Sequence, residues 1–445
     1  MSFSGRRRPS VALLGRALAL MLLTTALVTC DRPDASAEDP ARILIVGDSV
    51  TQGSAGDWTW RYRLWQHLRR QGVAVDLVGP RQDLWDNLGN VPGSIDYLDP
   101  EFDTDHAARW GMSFADQDDA IGELIQRYQP DVVVELLGLN DLVWQGVGAE
   151  GLHDRVETFV AQARAADPGV DLVVSRIPQT WLKDVPASNE RLSDLPRELS
   201  TAESRVVVSY ADEGFAESAD TWDAAHPAAP GEIKIAASVA DALASLGIGA
   251  PYPRPLPLVP RGPRWAPALT ARPGDGQVQL SWVGSPGSDH EYVWLRDVSA
   301  GAQWRRLPFP VPGRTWVVTA LRNGHDYAFR LQPVKGYHAA AADIRSNVVR
   351  TSPRAPRPGP VRGLVVRPAR TSLTLTWRAP RLATRNQVRW WPRGHPAQAR
   401  RRLVRGPALR IGSLIEGRRY VIAVAGLNDT TPGPVRRVVA TPRRR

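Results

Sequence analysis

The sequence predicts a parallel α/β domain followed by two small all-β sandwiches, and three observations carry that prediction. From Ala41 to Leu246, short apolar runs alternate with helix-spaced segments. Pro251 to Pro267 (PYPRPLPLVPRGPRWAP) is dense in proline. Beyond it, β-type segments recur at a spacing of roughly 95 residues, the size of a sandwich module. The 445 residues also exceed what one hydrophobic core usually organises.

In the α/β region, Ile43 to Val46, Val73 to Val78, Val132 to Leu137, Leu172 to Ile177 and Val206 to Ser209 read as strands. Their near-continuous Val, Ile and Leu suits strands covered on both faces. Trp60 to Arg70, Asp116 to Tyr128, Leu152 to Ala166 and Glu232 to Leu246 have amphipathic helical spacing. Strands separated by crossovers predict a three-layer α/β/α domain over residues 41–250. The proline-dense stretch, residues 251–266, reads as a stiff extended linker.

The repeats are specific. Gln277-Val-Gln-Leu-Ser-Trp282 is matched by Ser372-Leu-Thr-Leu-Thr-Trp377, and Leu321-Arg-Asn-Gly-His-Asp-Tyr327 by Leu414-Ile-Glu-Gly-Arg-Arg-Tyr420. An alternating strand ending in Trp, then a Leu-x-x-Gly-x-x-Tyr turn into a second strand, resembles the fibronectin type III domain. The resemblance covers residues 267–354 and 358–442. The Trp supplies core volume, and the Tyr fits a corner role with its hydroxyl bonded back to the chain. Arg400 to Arg405 is expected on an exposed strand or loop.

Residues 1–37 read as an export segment: Arg6, Arg7 and Arg8 precede an apolar run from Ala17 to Val28, too short to span a bilayer comfortably. Two processing sites compete. Ala35-Ser36-Ala37 suits ordinary cleavage, whereas Leu27-Val28-Thr29-Cys30 resembles a bacterial lipobox, with Thr29 departing from its usual small residue. Cys30 is the only cysteine, so no intramolecular disulfide forms. The expected location is therefore secreted or cell-surface attached, with membrane contact only through a lipid on Cys30.

The net charge of +10 hides a division. Residues 38–250 carry 36 acidic and 16 basic side chains, net −20; residues 251–445 carry 8 and 35, net +27. All but three basic residues of the chain are Arg, which a GC-rich genome explains, but base composition does not explain the scarcity of acids after residue 251. An anionic envelope polymer is the partner that such a tail would hold. Nucleic acid is not an expected partner, because the chain reads as exported and lacks a recognition motif.

Four short signals bear chemistry. Ile43 to Gly53 (ILIVGDSVTQG) is a buried strand ending in Gly-Asp-Ser, which sets Ser49 where open α/β sheets form their crevice. The bland alternative is a turn or helix cap. Leu136-Leu-Gly-Leu-Asn140-Asp141 ends another buried strand, so the Asn140 amide lies on the same sheet edge and can donate to a developing oxyanion. The Ala108 to Ser113 segment offers Gly111, whose backbone N–H can approach a ligand. Asp223-Ala-Ala-His226-Pro227 sets a carboxylate and an imidazole three residues apart, as a base for serine and its orienting group require. A loop histidine capping the following helix is the alternative.

Together, in this order, the four signals resemble the SGNH (GDSL) hydrolase superfamily, whose domain is a flavodoxin-like α/β sandwich. Gly-Asp-Ser-Val-Thr-x-Gly, Gly-Leu-Asn-Asp and Asp223-x-x-His226 match its blocks; Trp110-Gly111-Met112-Ser113 lacks a second glycine often found there. The resemblance implies a serine esterase with Ser49 as nucleophile, His226 as base, Asp223 as its orienter, and an oxyanion hole from Ser49 N–H, Gly111 N–H and Asn140. Val75-Asp-Leu-Val-Gly79 and the Asp-rich loop before Gly111 look like the carbohydrate esterase family 3 branch, which implies an acetylated glycan as substrate. Lipases of the same superfamily remain the alternative, as does a non-catalytic surface-binding protein working through its basic tail.

No cofactor or metal is expected. Asp103, Asp105 and His106 lack a second His or Cys at metal-site spacing and read as a solvated loop. Trp60 and Trp65 read as packing, while Trp58, on the loop after Ser49, is the one aromatic that could face the site. The tail is expected to act as a spacer or attachment module, separable from ester turnover.

Overall fold

The computed structural model describes residues 39–444. The export segment, its cleavage sites and Cys30 lie outside the described residues. The α/β sheet has six parallel strands: the two-residue Ala107–Ala108, beside the carboxyl end of the first strand, and five longer ones, β1 (Ala41–Gly47), β2 (Val75–Val78), β3 (Val132–Leu136), β4 (Asp171–Ser175) and β5 (Val206–Ser209). Their order is β2-β1-β3-β4-β5. Chain direction across the sheet therefore reverses at β1, and the crevice between the carboxyl ends of β1 and β3 is the topological switch point where such sheets bind ligands.

The alternation along β1 shows how the layers assemble. Ile43 and Ile45 face α2 (Thr59–Arg70) and a carboxyl-terminal helix (Ala229–Ser245), whereas Leu44 and Val46 face α3 (Ile121–Tyr128) and α4 (Ala149–Ala166). All four strand residues are fully or almost fully buried. At about 25 cal/mol per Å² of apolar surface, each such side chain contributes about 2 kcal/mol. Among the described residues, no helix is long and apolar enough to cross a membrane.

Several element boundaries differ from the sequence reading by a few residues, and for two of them the structure shows the physical reason. The helix expected from Asp116 starts at Ile121, because Asp116 and Asp118 pair with Arg109 and Ala120 is extended. The strand expected to reach Ile177 stops at Ser175, because the side chain of Asn189 takes up the Ile177 N–H and its carbonyl.

Each C-terminal module is an antiparallel sandwich. In the first, Thr315–Val318, Val278–Val283 and Ala268–Pro273 form one sheet; the other is built on His290–Asp297 and Tyr327–Lys335. The second repeats this with Arg362–Ala369, Ser372–Arg378 and Ala408–Ile411 against a sheet built on Arg385–Pro392 and Tyr420–Asn428. Trp282 and Trp377 are core residues of their modules. The Tyr327 hydroxyl accepts from Arg322 N at 3.0 Å and that of Tyr420 from Ile415 N at 3.2 Å, the corner geometry the repeats predict. Arg400–Val404 is an exposed strand apart from its last residue.

The spacer expectation is corrected for the linker and the first module. The linker has no regular structure, but it is fastened to the α/β domain. Tyr252 stacks on His67 with ring centroids 4.6 Å apart and its N–H donates to Asp241, which also pairs with Arg254 at 2.7 Å. Beyond it, the first module packs directly on the α/β domain. Gly56 approaches Pro286 so closely that a Cβ there would lie 2.3 Å from the Pro286 carbonyl carbon. Backbone contact of this kind holds the two parts together as one body.

Candidate active site

The site is assembled from four loops at the β1/β3 edge. β1 ends at Gly47 and the chain turns into a single helical turn, α1 (Ser49–Gln52), capped by Asp48, whose carboxylate accepts from Val50 N at 2.8 Å. Ser49 is thereby the first residue after the cap. The turn is held from below by Arg61, which is fully buried and donates to the carbonyls of Thr51, Gln52 and Thr104. The Gln52 carbonyl Oε1 accepts from Trp110 N at 2.7 Å and ties the segment carrying Gly111 to the same turn.

His226 comes from a tight loop ahead of the carboxyl-terminal helix. Thr221 bridges Pro227, Trp222 N donates to His226 O at 2.9 Å, and Ala224 takes a positive φ of 72° to close the turn. Inside it, Asp223 accepts from His226 N at 2.8 Å, and its other oxygen lies 2.7 Å from His226 Nδ1. A carboxylate can only accept, so Nδ1 carries the proton. Nε2, 3.0 Å from Ser49 Oγ, is then left to accept from the hydroxyl. The alternative of a helix-capping histidine is overturned, because both ring nitrogens are engaged elsewhere.

The electrostatics follow from burial and partners. Burial pushes the Asp223 carboxyl up, but the hydrogen bond and charge of His226, with backbone N–H donors from His226 and Ala225, outweigh it and hold the group below its ordinary value. Under Ser49 the balance is opposite. Burial pushes Asp48 up to about 7 against the Val50 N–H, with the Asp141 charge adding to the rise, and pushes Glu135 up to about 8 against the Leu137 N–H.

Gly111 and Asn140 line one cavity with Ser49 and His226, of about 390 Å³. Among the described residues, neither the Ser49 nor the Gly111 N–H has a protein acceptor. Asn140 Nδ2 donates to Asp48 at 3.2 Å and to the Met112 carbonyl at 2.9 Å, so serving an oxyanion requires one of these bonds to yield. The rest of the lining is mostly apolar: Leu139, Val143, Trp144, Leu182 and Ala225.

Aromatic residues of the site were not legible in the sequence. Trp110 and Trp222 stack against the His226 ring at centroid distances of 4.1 and 5.2 Å, and Trp144, 80% exposed, stands on the cavity lining. The available signal was adjacency: Trp110 precedes Gly111, Trp222 precedes Asp223 and Trp144 follows Asn140 by four. Trp58 instead packs on Tyr62 at 4.6 Å and on the core. The solvated-loop reading of His106 is corrected: it is fully buried, accepts from Ala108 N, donates to Asp83 O, and is held well below its ordinary pKa by burial and Arg61. Asp103 accepts from Leu77 N at 2.6 Å.

Residues 45–232 match the GDSL-like Lipase/Acylhydrolase family. A multidomain esterase of Ruminococcus flavefaciens is 26% identical over 245 residues, which are 50% of this chain and 31% of that protein; the chain thus spans about a third of its relative. A solved carbohydrate esterase family 3 structure from Talaromyces cellulolyticus shares 27% identity, covering 46% of this chain and 97% of the other with a TM-score of 0.41. A two-domain fibronectin type III segment of chicken tenascin shares 16% identity over 39% of this chain and 98% of the other, with a TM-score of 0.26.

Proposed function

We propose that the protein, whose residues 45–232 match the GDSL-like Lipase/Acylhydrolase family, is a serine carboxyl-ester hydrolase acting through an acyl-serine at Ser49. The observation that carries this reading is the unbroken relay Asp223 to His226 to Ser49, at 2.7 and 3.0 Å. As Ser49 Oγ attacks the acyl carbonyl, its proton passes to His226 Nε2, and Asp223 stabilises the imidazolium formed. The oxyanion meets the N–H groups of Ser49 and Gly111 and the Asn140 amide, which exchanges its bond to Met112 O or Asp48 for the new acceptor. His226 returns the proton to the leaving alcohol, and water repeats the sequence to release the acid.

The substrate class is a small-acyl ester on a carbohydrate. The cavity beside Ser49 and the exposed indole of Trp144 suit a short acyl group and a sugar ring face. Its apolar lining also favours a second reading, a longer-chain acyl hydrolase. A panel of aryl esters of rising chain length, with acetylated xylan and other acetylated glycans, separates the two. The account expects turnover to fall beyond short chains, and Ser49→Ala to lose about 10³-fold or more of kcat. Wild-type activity in Ser49→Ala contradicts the whole reading.

We also infer an exported, surface-associated enzyme whose basic modules hold an anionic polymer. The exposed Arg400, Arg401 and Arg402 support the latter. Salt-sensitive retention on an acidic polysaccharide tests it, and loss of lipid labelling in Cys30→Ala tests an anchor.

A further inference from the structure

The first sandwich meets the α/β domain at the Pro286–Gly287 turn, which lies against Ala55 and Gly56, and at one hairpin, Lys335 to His338, joining Tyr327–Lys335 to His338–Ala339. Three contacts fall on the loop that carries His226. Tyr337 N donates to Trp222 O at 2.8 Å, His338 Nε2 donates to Thr221 O at 2.8 Å, and the Lys335 ammonium lies 5.1 Å from the Trp222 ring centroid. Trp222 is the residue whose indole stacks on His226 and whose N–H closes the loop onto His226 O.

The same hairpin grips the loop that follows Ser49. Lys335 Nζ donates to Ser54 Oγ at 2.5 Å and pairs with Asp57. Lys335 is 3% exposed, and Asp57 and Glu232 with Arg63 complete a charged cluster walled by both parts. In a tail of 35 basic residues this is the only lysine, where a compact ammonium is what the space admits. Gly336 sits at φ +50°, and a Cβ there would lie 1.8 Å from Trp222 O. Only glycine allows the hairpin to sit this close.

We propose that the Lys335–His338 hairpin is a positioning element of the active site, fixing the Trp222–His226 loop against the Ser49 turn, so that the first sandwich is part of the catalytic unit. The inference rests on the reading of Ser49 and His226 as the reactive pair. Lys335 and Gly336 are positioning residues and touch no reacting atom. A displacement of an ångström at the base is enough to cost a large factor in the chemical step while leaving substrate binding intact.

The test uses full-length Lys335→Met, Lys335→Arg, Gly336→Ala and His338→Ala, with Asp429→Ala, the exposed equivalent of Gly336 in the second module, as control. Aryl acetate kinetics are compared for variants shown folded by a cooperative melt. Gly336→Ala and Lys335→Met should lose about 10-fold or more of kcat with KM within about 2-fold, Lys335→Arg should fall between, and Asp429→Ala should match wild type. A purely structural role would lower the melting temperature and leave kcat of the folded protein unchanged, which overturns the proposal. Should Gly336→Ala not fold, His338→Ala decides. It deletes one hydrogen bond at the edge of the contact, and wild-type kcat there overturns the proposal equally. A wild-type chain that hydrolyses no ester removes the esterase reading with it; turnover lost in Ser49→Ala but unchanged in every hairpin variant removes this inference alone.

Discussion

The two sandwiches share a fold and corner tyrosines yet use the same hairpin differently. In the first module, Lys335-Gly-Tyr-His338 is pressed into the active-site loops. In the second, the equivalent Asn428-Asp-Thr-Thr431 has Asp429 exposed, and Thr430 lies beside Gly324 of the first module. The docked and the exposed hairpin differ at all four positions, Lys335 for Asn428, Gly336 for Asp429, Tyr337 for Thr430 and His338 for Thr431. A sandwich that looks like an interchangeable tail unit can thus be tied to the chemistry by four residues.

The largest test of this contrast removes each core tryptophan. Trp282→Ala and Trp377→Ala should each cost their own module about 3–5 kcal/mol. Only Trp282→Ala should also lower ester turnover, because only its module holds the His226 loop. Calorimetry paired with initial rates distinguishes them, and equal turnover losses would break the contrast.

A pH scan sharpens it. Glu291 in the first module is pushed up to about 7 by burial, with Ser288 and Arg314 opposing. At the matching strand position the second module carries Asn386, whose side-chain oxygen accepts from Trp377 Nε1 at 3.2 Å. A carboxyl whose folded pKa exceeds its unfolded value binds its proton more tightly in the folded state. Stability of the first module should therefore fall as pH rises from about 4.5 to about 7. Glu291→Gln should flatten that fall in melting temperature; an unchanged slope contradicts the assignment.

Smaller effects should be shared. Tyr327→Phe and Tyr420→Phe each remove one hydroxyl acceptor and should each cost about 1 kcal/mol by denaturant unfolding. A cost in one module alone would show that the corners are not equivalent. The smallest effect is expected from removing residues 358–445, with aryl acetate turnover staying within about 2-fold, since the contact with the active-site loops lies wholly in the first module.

How much of this was legible in the sequence follows from range. β1, β3 and β5 are local apolar runs, and Ser49 and Asn140 sit in short motifs at strand ends, so pattern alone placed them on one sheet edge; Asp223-x-x-His226 was legible as a motif on the loop before the last helix. Trp110 and Trp222, which flank the imidazole, belong to no periodic pattern and acquire meaning only when the loops meet. The linker shows the limit most clearly. Proline content predicts an extended chain, and the linker has no regular structure; but Tyr252 against His67 and Lys335 against Asp57 are contacts across 185 and 278 residues, which no local signal encodes.

The central claim is that Ser49 is a nucleophile activated by His226. The most direct measurement is the intact mass and peptide map of the full-length protein after reaction with a small fluorophosphonate, which couples covalently to activated serines. The account predicts one adduct per chain, on Ser49, with labelling slowed strongly in His226→Gln. Labelling elsewhere, or equal labelling of Ser49 in His226→Gln, would contradict it.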